Sequence, residues 1–499
     1  MTTPDWVQDA IFYQIFPDRF SRSERSTRNP SGGLPFESWD SSPTPYGFKG
    51  GDLYGIAEKL DYLKDLGITA LYLNPIFASA SNHRYHAYDY YQVDPLLGGN
   101  DAFRELLDKA HEKNIRIVLD GVFNHASRGF WQFHHVLECG DDSPYRDWFF
   151  FDPERLNRHQ HWGAYPGPQE LKALAHEDSI TAIGYRGWWN LPALPKFNTN
   201  SPVVREFLFE VAEYWIRFGI DGWRLDVPTE IDDDSFWQEF RDRVRKINPE
   251  AYIVGEIWHE AQRWLQGDQF DAVMNYEVTK PCLSFFSGTH LDLRVLHQQP
   301  NYHGIQHSID AHEFADQIDH NLWLYKPEIT YSQLNLLDSH DTPRFLSCAG
   351  GDKNALKLAW FFLLSFPGAP CIYYGDEIGI DGKHDPDCRK SFPWDENKWD
   401  KDLLGYVKEA IASRKKNPAL RRGDFRRLWS AEGTYAFSRS LEGNTFVIAL
   451  NASESPQQVE VAYESEKSPQ AVFGEVSEVS VDNGRLKFRI PPRSGVVMK

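Results

Sequence analysis

Eight short apolar runs, rich in β-branched and aromatic residues, alternate with helical patterns along this 499-residue chain: 11–16, 68–73, 115–119, 222–227, 252–257, 270–276, 333–337 and 370–374. Strands that alternate with helices read as a parallel sheet, and eight such units are the number that closes a (β/α)8 barrel. The linking segments carry the expected stripe. Leu53, Ile56, Leu60, Leu63 and Leu66 advance by three or four residues before Gly67, and Val204, Leu208, Val211, Trp215 and Phe218 do so before Gly219. Such a barrel needs about 250 residues, so the long stretches between strands predict inserted loops. The largest follows the third run, and a second, near 286–330, has many His and Gln and little periodicity. After Leu420 the texture becomes short alternating strands with Gly, Asn and Ser between them. The predicted organisation is a catalytic (β/α)8 TIM barrel over 1–420, an inserted subdomain over 125–200 after strand 3, and a C-terminal all-β sandwich over 421–499.

Four strands end in acid: Asp120 in RIVLDGVFNH, Asp226 in DGWRLDV, Glu256 in YIVGEIWH and Asp341 in LLDSHDTPR. One carboxylate at a strand end is more often a cap or a surface charge, but four at the same end of one barrel make a catalytic mouth. A net charge of −19 repels nucleic acid and anionic membranes and suits a neutral substrate, for which 17 Trp offer stacking faces. The five Cys are scattered without a CxxC pair, which points to a reducing compartment, the cytoplasm. The N-terminus lacks a basic segment followed by an apolar run, and no stretch has the length of a membrane helix.

DGVFNH (120–125), GWRLDVPTE (222–230), GEIW (255–258) and LLDSHD (336–341) resemble, in order, the four signatures of the α-amylase family of retaining glycoside hydrolases. LPKFN (194–198) and YYGDEIGI (373–380) resemble its two auxiliary signatures. The resemblance implies Asp226 as nucleophile, Glu256 as acid/base and Asp341 as the carboxylate that binds the sugar hydroxyls in the transition state. It makes Arg224 the cation that orients Asp226, and Asp120 the group that holds Arg224. His125 and His340 match the paired histidines on the cleaved sugar, His86 and Tyr88 the histidine and stacking tyrosine beneath it, and Arg344 the arginine bracing the Asp341 loop within the sugar-binding set. Trp258 and Lys196 fall on the acceptor side. Trp188, Trp189 and Trp215 are expected in packing, and His83, His134, His135, His159 and His161 on solvated loops.

LPKFN, with Glu230 where ordinary α-amylases carry His, is similar to the neopullulanase, cyclomaltodextrinase and maltogenic amylase branch. Branch members commonly begin with a β-sandwich domain that completes a dimer, whereas the first barrel strand here starts near residue 11. The expectation is an open cleft like that of a cyanobacterial-type debranching enzyme, and a monomer or a dimer built without that domain. Asn124 keeps one calcium ligand of the family, but Glu230 replaces its partner, and Arg22, Arg25 and Arg28 sit in a loop that elsewhere binds the ion. No metal and no cofactor are expected. The expected activity is hydrolysis of α-1,4 and α-1,6 bonds in maltooligosaccharides, starch, pullulan or branched glucans, with transglycosylation. The alternatives are a glucosyltransferase or isomerase of the same family and a non-catalytic glycan-binding relative. An unrelated phosphate-binding barrel lacks its Gly-rich loop after the seventh or eighth strand.

Overall fold

In a computed structural model, which describes residues 3–25, 35–157, 167–465 and 467–499, eight parallel strands form one sheet. They are β1 (Phe12–Ile15), β2 (Ala70–Leu73), β3 (Arg116–Gly121), β4 (Gly222–Leu225), β5 (Tyr252–Gly255), β6 (Ala272–Val273), β7 (Leu334–Leu336) and β8 (Ala369–Tyr373). Each pairs with its neighbour in sequence from β1 to β6, β8 lies between β1 and β7, and a parallel bridge from Met274 to Leu334 joins β6 to β7 and closes the ring. Every one of the eight runs read from the sequence supplies a strand. Strands buried on both faces explain why those runs are continuously apolar rather than alternating.

Pro202–Phe218 is the longest described helix, with Pro at its first position and Gly219 left-handed at φ 118° behind it. The stripe from Leu53 breaks into two helices, Leu53–Glu58 and Leu60–Leu66, the second stopped by Gly67 at φ 102°. The stretch expected to be irregular near 286–330 holds a 13-residue helix, Ala311–Trp323. Its start is written in the sequence: Asp310 accepts from the His312 and Glu313 amides while the Glu313 carboxylate reaches back to the Asp310 amide. Phe314, Ala315 and Ile318 then supply its buried face.

Between β3 and Pro202 the chain builds its own layer over the barrel mouth. Helices Trp131–Cys139 and Ser179–Ile183 are tied by antiparallel bridges from Phe149 to Phe197, Phe151 to Tyr185 and Gly187 to Pro195. His134 and His135 belong to the first of these helices rather than to a loop, and His159 and His161 lie outside the described residues, as does Arg28. Trp215 packs as expected, wholly buried with its indole donating to the Tyr90 carbonyl. From Asp424 onward two antiparallel sheets, of five and three strands, share a core of Val459, Leu486, Phe488, Ile490 and Val496. This β-sandwich docks on the barrel helices through Phe473 on Phe361 and Tyr435 on Phe314.

Candidate active site

The barrel ladder runs one step past the ends of β4 and β5. Asp120 pairs in register with Arg224, the Asp226 amide donates to the Gly121 carbonyl at 3.0 Å, and the Glu256 amide donates to the Leu225 carbonyl at 2.9 Å. Three acids and one arginine on adjacent strands thus have backbones fixed by the same hydrogen-bond ladder. Arg224 is fully buried at their centre. Its Nη1 donates to Asp120 Oδ1 and to Asp226 Oδ1, each at 2.9 Å, and its Nη2 lies 3.0 Å from Glu256 Oε2 as an ion pair off the hydrogen-bonding axis. Asp226 and Glu256 thus share one guanidinium, and retaining chemistry sets its two carboxyls about 5–5.5 Å apart across a sugar carbon.

Glu256 is held from three sides. The Trp258 indole donates to Oε1 at 3.0 Å and the Val227 amide to Oε2 at 3.1 Å. Val227, a β-branched residue, adopts a left-handed conformation at φ 35° to present that amide, a strain found where surrounding structure over-determines a functional backbone. Burial raises the pKa of Glu256 above the usual carboxylate range against the opposing pull of Arg224, and the Asp341 charge raises it further. Asp226 is likewise pushed up by burial and then by Glu256, against Arg224, and Asp120 rises through burial to about 6. Burial thus disfavours the charged form of all three acids, and the one guanidinium between them opposes that shift.

Above this cluster Asp341 projects with about a third of its side chain exposed, bound to His340 Nε2 at 3.0 Å and to Arg389 Nη2 at 3.2 Å. Gln14 Nε2 donates to His340 Nδ1 at 2.9 Å, which leaves the imidazole proton on Nε2, facing Asp341 and, at 2.6 Å, the Tyr85 hydroxyl. Tyr85 donates to Asp120 at 2.8 Å and stacks on His340 with ring centroids 5.5 Å apart and planes 6° from parallel. His125 presents a buried Nε2 that has no hydrogen-bond partner among the described residues, a position open to a ligand. Its pKa is lowered by burial to about 3, and His83, His86 and His340 are lowered by burial too. A neutral imidazole carries one N–H donor and one acceptor nitrogen, a pairing that suits hydroxyl groups.

Asp226, Glu256, Asp341, Arg224, His125, His340 and Trp258 stand together in this arrangement, and Lys196 joins them through a backbone bridge to His125. His86 meets His83 edge-on at 4.9 Å at its border. Two expected positions differ. Tyr88 stands 38% exposed beside Gly129, and the tyrosine that meets His340 and Asp120 is Tyr85. The run HRYHAY contains the His-x-Tyr spacing twice, and sequence alone does not choose the register. The same slip hid His83, which lies on the first of the two, half-buried in the turn before Ala87–Val93 with its ring against Tyr85 and His86. Arg344 is wholly buried behind the site, bonded to Asp376 Oδ1 at 2.8 Å and the Cys388 carbonyl at 3.0 Å, so it braces the loop without a face toward sugar. Arg389, in the run DPDCR after β8, is the arginine that touches Asp341, and its Nε also holds the His340 carbonyl at 2.8 Å.

Among the described residues no group of three or more His, Cys, Asp or Glu is arranged to hold a metal ion. The Glu230 carbonyl accepts from Lys196 Nζ at 2.7 Å, and the Glu230 carboxylate lies 3.2 Å from the same ammonium.

A parallel eight-stranded barrel with a buried Asp–Arg–Asp–Glu cluster at its carboxyl end, roofed by neutral histidines, defines a glycoside hydrolase. The chain belongs to the α-amylase family: residues 14–479 match the alpha amylase catalytic domain. It is 44% identical to a cyclomaltodextrinase of Geobacillus thermopakistaniensis over 91% of this chain and 71% of that one, and 39% identical to neopullulanase 2 of Thermoactinomyces vulgaris over 100% and 78%. The solved debranching enzyme from Nostoc punctiforme superposes with a TM-score of 0.87 at 46% identity, covering 100% of this chain and 99% of that one.

Proposed function

We propose that this enzyme cleaves α-1,4 and α-1,6 glucosidic bonds of maltooligosaccharides and branched or pullulan-type α-glucans through a glucosyl ester on Asp226. The observation that carries the reading is the single buried guanidinium of Arg224 bonded to Asp120 and Asp226 and paired with Glu256. In the first step Glu256 gives its proton to the glycosidic oxygen as the bond to C1 breaks, and an Asp226 oxygen forms the new bond to C1. In the second, Glu256 takes a proton from water, which attacks C1 and releases Asp226 with the original configuration restored. Proton transfer to the leaving group leaves Glu256 ionised beside Arg224, which stabilises that charge and holds Asp226 in line. Asp341, held by His340 and Arg389, binds neighbouring hydroxyls of the strained sugar, His125 Nε2 a third, and Tyr85, stacked on His340, forms the aromatic floor on which that sugar rests.

Trp258, stacked on Tyr276 at 3.7 Å, and the Lys196–Glu230 pair border the acceptor side. A sugar hydroxyl held there replaces water in the second step, which gives transglycosylation. The relatives named cyclomaltodextrinase, neopullulanase and debranching enzyme support this substrate range. The five cysteines, none of them in a disulfide, fit a cytoplasmic enzyme.

Asp226→Asn tests the assignment. Turnover of maltoheptaose falls at least a thousandfold while maltoheptaose binding, measured by calorimetry, stays within a few fold, and turnover equal to the parent protein rejects the nucleophile. On pullulan, panose reports cleavage at α-1,4 bonds and maltotriose at α-1,6 bonds.

A further inference from the structure

Trp188 and Trp189 do not both pack. Trp188 lies parallel to His125, with ring centroids 4.9 Å apart and planes 8° from parallel, and Trp189 lies on Trp188 at 4.6 Å and 13°. The three rings make a column. Its inner end is the histidine with the unpartnered Nε2, and its outer end, Trp189, is 76% exposed. An indole left in water forgoes burial that a tryptophan in packing would gain.

The backbone beneath it is strained. Trp189 (φ 50°) and Asn190 (φ 57°) are consecutive left-handed residues, neither of them glycine, and for a tryptophan that conformation persists only where its surroundings enforce it. The surroundings do so here. The Trp188 amide donates to the Leu194 carbonyl at 2.9 Å, the Leu191 amide to the Trp188 carbonyl at 2.9 Å, and the Ser179 amide to Asn190 Oδ1 at 3.1 Å. Gly187 closes the turn because a Cβ there would lie 2.4 Å from the Leu191 carbonyl oxygen. The turn thus fixes an aromatic face in solvent, continuous by ring stacking with the candidate catalytic pocket.

We propose that the outward face of Trp189 is a sugar-binding platform for a glucosyl unit remote from the scissile bond, and that it selects long or branched α-glucans over short ones. This rests on the reading of His125 as a contact of the cleaved sugar. The C–H-rich face of a pyranose matches an indole plane, and a pre-set turn holds that plane in place before substrate arrives, so little ordering entropy opposes binding. The Trp188 ring between it and His125 sets the distance, so only a chain extending beyond the cleaved residue reaches it.

The test compares kcat/KM for maltoheptaose with kcat/KM for 4-nitrophenyl α-maltoside in the parent enzyme, Trp189→Phe and Trp189→Gly, the last of which removes the ring and suits the left-handed backbone. A stacking contact of this kind changes affinity about 2- to 13-fold. The long-to-short ratio is expected to fall by about fivefold in Trp189→Gly, chiefly through KM for maltoheptaose, and to recover most of that in Trp189→Phe. An unchanged ratio, or a change in oligomeric state without a change in ratio, overturns the platform. Maltoheptaose binding to Asp226→Asn and to Asp226→Asn/Trp189→Gly separates this idea from the parent reading. An enzyme that cleaves neither substrate defeats the proposed function, whereas equal binding by these two proteins defeats the platform alone.

Discussion

Glu256 depends on its neighbours for the pH at which it can act, and the Trp258 indole is the side-chain donor that favours its ionised form. Removing that donor raises the pKa of Glu256, because a hydrogen bond to a carboxylate stabilises the charge and its loss favours the acid. The first step needs Glu256 protonated, so Trp258→Phe is expected to move the alkaline limb of kcat/KM to higher pH. A limb that stays in place or moves down contradicts the role of the indole. At this scale the sequence was informative wherever chemistry is tied to a strand end. Asp226, Glu256 and Arg224 are legible as a group, because several charges closing neighbouring apolar strands meet at one end of a barrel, where a lone one is more often a cap. Tyr85 and Arg389 were not, for different reasons. Tyr85 competes with Tyr88 for the same spacing, and only the strand register over Ala87–Val93 leaves Tyr88 at 38% exposure. Arg344 sits three residues from Asp341, whereas Arg389, far along the chain, reaches Asp341 through a loop fold that no local pattern encodes.

Among elements, the eight strands were legible because a strand buried on both faces has to be continuously apolar and short. The helix Ala311–Trp323 was missed because its amphipathic face is diluted by His, Gln and Asn, although the Asp310–Glu313 capping box marks its start. A helix whose apolar stripe is thin leans on its cap. Asp310→Ala is expected to cost about 1 kcal/mol, seen as a lower urea midpoint with specific activity retained. No change in the midpoint contradicts a stabilising cap. The turn carrying Trp188 and Trp189 shows the reverse limit: WW in a loop reads as packing, and the two left-handed residues that turn Trp189 outward have no signature in composition.

For the molecule as a whole, the net charge of −19 and four imidazoles kept neutral by burial point the same way, toward an uncharged polyhydroxylated substrate. The barrel brings residues distant in sequence to one mouth. The layer inserted after β3 adds His125, Lys196 and the tryptophan column, and the β-sandwich abuts the helices of the opposite half of the chain through Phe473 and Tyr435. Catalysis in this account belongs to one covalent bond, formed where Arg224 presents Asp226. The direct test incubates Glu256→Gln with 5-fluoro-α-D-glucosyl fluoride, whose leaving group needs no acid and whose ester lacks the base that would hydrolyse it. Peptide mass spectrometry is expected to find one fluoroglucosyl group, on Asp226. A label on any other residue, or an unlabelled protein from a parent enzyme that releases β-anomeric product, contradicts the account.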